Sequence, residues 1–413
     1  MIEKYTAQYA EYWENCPVQV PHFARRYSNE DKLQKENYLN QFLETIKTFR
    51  KDRIRGKLFK EEDQKVFLKK MRGFLSNGLD FTDIQLELMF SDSMIGITRS
   101  FIQKAKTFDA DLTFADIFQA CRNMWIMNGL QLIMGIPMKV TPSVFAYSML
   151  YPYTDNFIDD PAVSGYQKLQ FSERFRHRLS GTMLNPGNKT ENAIFRLVGM
   201  IEEEYPRTDY PEVYASLLAI HEAQTRSVEL IQRRDSISEY KILNICLAKG
   251  GASVLADGYL VAGKLTDMQR YFLFGYGAYL QLLDDVQDVK DDYASGLMTV
   301  FSSSACRSPL DEKLNKTYWF GEHVMKSLDS FGGQHIDLFK SLMRRSMDLF
   351  IAEAIAQTPE MYSEKYVAEY ECCSPFHFSY IRKLKTQFES YNSLLLTAVE
   401  EFAFSDNLIM SDL

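Results

Sequence analysis

The chain has 413 residues, with 47 Lys and Arg against 55 Asp and Glu for a formal net charge of −8. That acidic balance, with no basic stripe, argues against a nucleic-acid partner. Gly 20 and Pro 12 together make about 8% of the chain, against an average nearer 12%, which disfavours a many-stranded β architecture and suits long helices. The 6 cysteines are scattered without a CxxC spacing, as expected of a reducing compartment. The opening MIEKYTAQYAEYWENC lacks the apolar core of a signal peptide, and the apolar run 271–283 (YFLFGYGAYLQLL) is shorter than the roughly 18 residues a membrane span needs. A cytoplasmic all-α protein with no transmembrane segment is expected.

Over residues 1–110 apolar positions recur at helical spacing between charges, as in 64–76 and 84–96, predicting an N-terminal helical layer. Residues 111–413 read as one bundle. Thr113–Gly135 predicts a helix opened by a Thr cap and apolar on all sides in its second half, the mark of burial. Pro137 and Pro142 then break the chain. Pro142 suits the first turn of a helix running to about Asp160, and Pro152 is expected to kink or divide it. Residues 161–211 read as a basic, irregular passage with one helix at about 190–204. Further helices are expected at about 211–234, 238–262, 266–292, 310–330, 334–357 and 376–403.

Chemistry concentrates in two acidic runs. In the first, Tyr153-Thr-Asp155-Asn-Phe-Ile-Asp159-Asp160, Asp155 and Asp159 share a helix face. In the second, Gln281-Leu-Leu-Asp284-Asp285-Val-Gln-Asp288-Val-Lys-Asp291-Asp292, the residues Asp284, Asp288, Asp291 and Asp292 fall within one arc of about 100°, and Gln281 continues it one turn earlier. Like charges one turn apart cost a helix about 0.2–0.5 kcal/mol per pair. Each run follows an apolar stretch, so the carboxylates are expected at the mouth of a buried helix. Hard oxygen ligands in that setting suit Mg²⁺, which takes one or two carboxylates plus substrate phosphate oxygens. Two such helices predict several Mg²⁺ ions, three in all, sharing a diphosphate across an apolar hollow.

These motifs resemble the class I isoprenoid synthase superfamily over roughly residues 113–300. Asp155-Asn-Phe-Ile-Asp159-Asp160 has the DxxxDD form of the first motif in squalene and phytoene synthases, and Gly275 to Asp288 is similar to the second aspartate-rich motif of trans-prenyl diphosphate synthases. Ala248-Lys249-Gly250-Gly251 resembles the lysine-bearing helix before it. The spacing of Thr154-Asp155-Asn156 and Asp160 with Asp284, Asp288, Asp291-Asp292 and Gly296 is similar to bacterial large-terpene synthases of the tetraprenyl-β-curcumene type. The GGKRxRP-like and YCxxVAG segments of the two-substrate enzymes are missing. The resemblance implies a helical bundle with a central apolar cavity and a terpene synthase that ionises one linear prenyl diphosphate. A prenyltransferase joining two prenyl diphosphates and a non-catalytic prenyl-binding protein are the rivals. By the same resemblance Asp155, Asp159, Asp160, Asp284, Asp288 and Asp292 would bind metal. Arg226, Arg233, Arg234, Lys249 and, from the last helix, Arg382 would meet the diphosphate.

Trp125, Phe145, Tyr147 and Gln281 are the expected pocket wall. Aromatic residues make up 14% of the chain, and ring faces steady a cation by about 0.5–2 kcal/mol each. His221-Glu222 begins like a zinc-protease HExxH but has Thr225 in place of the second His, so no zinc site is expected.

Overall fold

The computed structural model describes residues 1–385 apart from 24, 56–60, 161, 232–236, 332 and 334, with the backbone alone at 50, 52–54, 61, 64, 159 and 330. Caps written into the sequence set many of the helix starts. In chain order the first five helices are α1 (Ile2–Glu14), α2 (Asn29–Ile54), α3 (Glu61–Asn77), α4 (Asp83–Met89) and α5 (Asp92–Phe108). Thr82 and Ser91 cap α4 and α5 with their side-chain oxygens, which splits the run read as 84–96 in two. Next come α6 (Phe114–Ile133), α7 (Pro142–Asp159), α8 (Gly165–Leu179), α9 (Lys189–Glu204) and α10 (Pro211–Ser227). Then come α11 (Glu239–Ala262), α12 (Asp267–Gln287), α13 (Val289–Ser295), α14 (Asp311–Ser327), α15 (Ile336–Gln357) and α16 (Glu364–Cys373), and a last helix starts at 378, the remainder of the helix expected at 376–403 lying outside the described residues. The only β pairing among the described residues is an isolated bridge between Ile231 and Leu297, so the chain is all-α as expected.

By internal contacts the chain falls into two compact units, Met1–Val20 with Asp116–Ile336, and Pro21–Ala115 with Asp337–Leu413. The division is discontinuous: the first residues join the middle helices, and the chain after Ile336 joins the early ones.

In the first unit, α11 is buried on almost every face. It passes the length and composition test for a membrane span, yet 83% of its apolar window is covered inside the unit, which marks a core helix. Helices α11 and α12 touch backbone to backbone: a Cβ added at Gly277 would stand 2.1 Å from the Gly250 carbonyl oxygen, and one at Gly250 would stand 2.3 Å from that of Gly277. Only glycine fits both sides of such a contact. Gly277→Ala is expected to push the pair apart and cost about 2 kcal/mol, read as a lower denaturation midpoint. An unchanged midpoint would mean the helices tolerate a wider spacing.

Two sequence expectations are corrected and one is narrowed. Residues 161–211 are not irregular, because α8 forms there behind a Ser164 and Gln167 capping box. Its buried Arg178 is held by Glu202 through two hydrogen bonds of 2.7 and 2.5 Å, a tertiary pairing that no local pattern reveals. Pro152 does not divide α7, which runs through it. The helix expected over 266–292 ends at Gln287, with Asp288 as the joint to α13.

Candidate active site

Two helices deliver the acidic runs to one end of α11. On α7, the Ser143 hydroxyl donates to the Leu260 carbonyl at 2.9 Å, and the Tyr151 hydroxyl lies 3.0 Å from that of Ser253. Facing residues thus run in opposite senses, and one more helical turn brings Asp155 level with Lys249. On α12, Leu273 packs at Gly258, Gly277 at Val254 and Gly250, and Gln281 at Gly250. One turn later Asp285 stands beside Cys246, close enough for each to shift the other's titration. Ser253 and Gly250 lie on adjoining faces of α11. Both acidic runs therefore flank the stretch 246–250, and Lys249 stands between them.

Asp155 is braced from α6, where the Gln119 amide donates to its Oδ2 at 2.9 Å. One residue on, the Asn156 amide donates to Asp116 Oδ1 at 2.9 Å. Asp159 closes α7 and its side chain lies outside the described residues. Exposed Asp160 accepts from the Ala162 N–H at 2.8 Å, so one of its oxygens already serves the turn after the helix.

On the other wall Asp284 and Asp288 are exposed. The joint at Asp288 keeps the helical ladder, since Asp288 N–H donates to the Asp284 carbonyl at 2.9 Å and Asp292 N–H to the Asp288 carbonyl at 2.8 Å. The three carboxylates stay stacked despite the break. Asp285 is only 2% exposed and takes a 2.8 Å hydrogen bond from Gln281 on Oδ1, while its buried Oδ2 has no hydrogen-bond partner. Burial pushes its pKa up to about 6, against the pull of Gln281, Lys249 and Cys246. Burial also raises Asp292 to about 7, reinforced by the negative charges of Asp285, Asp288 and Asp284.

The acidic run is thus short of positive charge, and a buried carboxylate oxygen stands unsatisfied within it. Both features fit a divalent cation. Among the described residues no three His, Cys, Asp or Glu side chains converge into a ready-made metal cage. A cation held here would take further ligands from outside the protein, as Mg²⁺ does from water and phosphate oxygens.

Of the basic residues singled out in the sequence, the structure brings Lys249 to this place, where its charge acts on Asp285. Arg226 is exposed on α10 and lines a different hollow with Glu3 and Glu222. Arg382 belongs to the second unit, donating to the Ala356 carbonyl at 3.1 Å. Arg233 and Arg234 lie outside the described residues. The chain leading to them is anchored beside the acidic run, since Met298 N–H donates to the Leu230 carbonyl at 2.9 Å.

Among the expected wall residues, Phe145 is wholly buried in the core and Trp125 packs edge-on against Phe118. Tyr147 packs edge-on against Tyr151 and lines a cavity of about 40 Å³ between α7, α8 and α10, together with Leu150, Phe175 and His221. That cavity has room for water but not for a prenyl chain. Neutral His221, its pKa lowered by burial, has Nε2 3.0 Å from the Ser172 carbonyl.

Two functional-looking acids were missed in the sequence. The spacing of the acidic run points to the neighbours of Asp285, which itself falls on the stripe of Leu282, Val286 and Val289 that faces the core. Asp257 is 1% exposed and takes a 3.2 Å hydrogen bond from Asn123, and burial pushes its pKa well up. Nothing in LADGY announces it.

No protein-family model matches the sequence, and no curated protein matches it. Among solved structures, the chain overlaps a decaprenyl diphosphate synthase from Rhodobacter capsulatus at 12% identity, over 73% of this chain and 98% of that one, with a TM-score of 0.33. So loose a likeness assigns neither activity nor substrate.

Proposed function

We propose that this chain is a Mg²⁺-dependent enzyme of the class I isoprenoid synthase type that ionises one linear prenyl diphosphate, a terpene synthase. The observation that carries this reading is the shared register on α11, which sets Asp155 and the Asp284 run beside the same stretch, with Lys249 between. Asp155, with Asp159 and Asp160 after it, would hold metal from α7. Asp284, Asp288 and Asp292 would hold it from the other wall. Bound there, Mg²⁺ neutralises a leaving diphosphate.

Lys249 adds a fixed positive charge where the diphosphate oxygen gains its electron pair. The carbon–oxygen bond breaks heterolytically, both electrons leave with the diphosphate, and the allylic cation then cyclises or gives up a proton. Tyr147 and Tyr151 offer ring faces that steady the cation. Burial raises the pKa of Asp257, on the same side of α11, which disfavours a carboxylate anion that could trap the cation. Because the hollow beside Tyr147 holds about 40 Å³, a prenyl tail enters by displacing Tyr147, Leu150, Phe175 and Leu179.

The test is release of inorganic diphosphate from prenyl diphosphates of increasing length, with Mg²⁺ or with EDTA. Release in Mg²⁺ alone, with a hydrocarbon of the substrate's own carbon number, is expected. A product of summed carbon number would assign a prenyltransferase instead, and turnover in EDTA would overturn the metal-dependent reading.

A further inference from the structure

A second hollow in the first unit belongs to neither acidic run. It measures about 330 Å³ and lies between α1, α10 and α11, lined by Met1, Ile2 and Glu3, by the α10 residues Ala215 to Arg226, and by Ile245, Ala248, Leu255 and Tyr259 of α11. That volume is within the range of small-ligand pockets, about 300–1,000 Å³. Ala215, Ser216, Ala219 and Ala223 keep the α10 wall low, which is why the space exists. The lining on α10 runs from Ala215 to Arg226, about 16 Å along the helix axis, so the hollow is a slot rather than a sphere.

Its polarity is segregated. Alanine, isoleucine and leucine make the walls, while Arg226 stands at one end of the α10 stripe. Among the described residues Arg226 has no ion-pair or hydrogen-bond partner, although Glu222 is one turn away on the same helix. A guanidinium at the end of an apolar slot suits an anionic head on an extended chain. The neighbouring carboxylates, Glu222 and Glu3, set the charge of that head. They would repel a multiply charged diphosphate and leave a single negative charge acceptable.

We propose that the α1–α10–α11 slot binds a fatty carboxylate of medium chain length, its carboxylate paired with Arg226 and its tail along Ala223, Ala219 and Leu255. This is a ligand site separate from the carboxylate-flanked end of α11, and it stands whether or not that end performs prenyl chemistry.

The experiment is titration of the full chain with laurate below its micelle concentration, by calorimetry, without Mg²⁺. Saturable one-to-one binding is expected, weakened about tenfold or more in Arg226→Gln and abolished in Ala219→Phe, whose ring fills the slot. Should Ala219→Phe fold poorly, Arg226→Gln still decides, with Arg226→Lys expected to recover part of the affinity. Two results would overturn the proposal: no saturable binding, or laurate affinity equal in the wild type and Arg226→Gln. Displacement of laurate by farnesyl diphosphate with equal affinity would overturn the charge argument and merge the two sites.

Discussion

The double substitution Asp155→Ala, Asp288→Ala is expected to lower Mg²⁺-dependent diphosphate release by at least about 10³-fold, because each wall of the site loses a metal-binding carboxylate. The singles should each fall nearly as far. Residues that act as a unit lose most of their effect at the first deletion, and one diphosphate bridges both walls in the proposed reading. Asp291→Ala is the control. Asp291 is exposed in the same acidic run, but its charge is not among those that raise Asp292, so its removal should leave turnover within a few-fold. Assays of the released diphosphate, with folding checked by thermal melts, decide the matter. Equal losses in Asp291→Ala and Asp288→Ala would show diffuse electrostatics rather than ligation.

What could be read without a structure follows from how local each signal is. Helix α7 was legible because Thr141 caps it and Pro142 fills its first turn, both within a few residues of each other. Helix α8 was not, since its buried Arg178 depends on Glu202 from another helix. The acidic runs announced themselves through spacing, which the backbone ladder preserves across Asp288. Which carboxylate is buried is a tertiary fact. Asp285 and Asp284 are adjacent and chemically identical, yet α11 covers one and leaves the other in solvent. The basic residues were the least legible of all. Arg226 shares composition with any phosphate ligand, and only the position of α10 shows that it faces a slot beside two glutamates.

Removing the buried charge of Asp285 should make the protein more stable. In Asp285→Asn the amide oxygen still accepts from Gln281, which lies 2.8 Å from Asp285 Oδ1, but no charge has to be buried. The folded protein keeps the Asp285 proton up to about pH 6, whereas the ordinary carboxyl releases it near 3.8. Between those values the folded state binds more protons than the unfolded state, so wild-type stability falls as pH rises. Above pH 6 the whole penalty is present, about 3 kcal/mol at roughly 1.4 kcal/mol per pKa unit. Asp285→Asn is therefore expected to be about 2–3 kcal/mol more stable than wild type at pH 8 and equal to it below pH 4, measured by urea denaturation without metal. Adding Mg²⁺ with inorganic diphosphate should close the gap, because it stabilises the charged wild-type site and has less to act on in the variant. A difference that is the same at pH 4 and pH 8 would trace the gain to packing, and the claim that this end of α11 holds an uncompensated negative charge would fall with it.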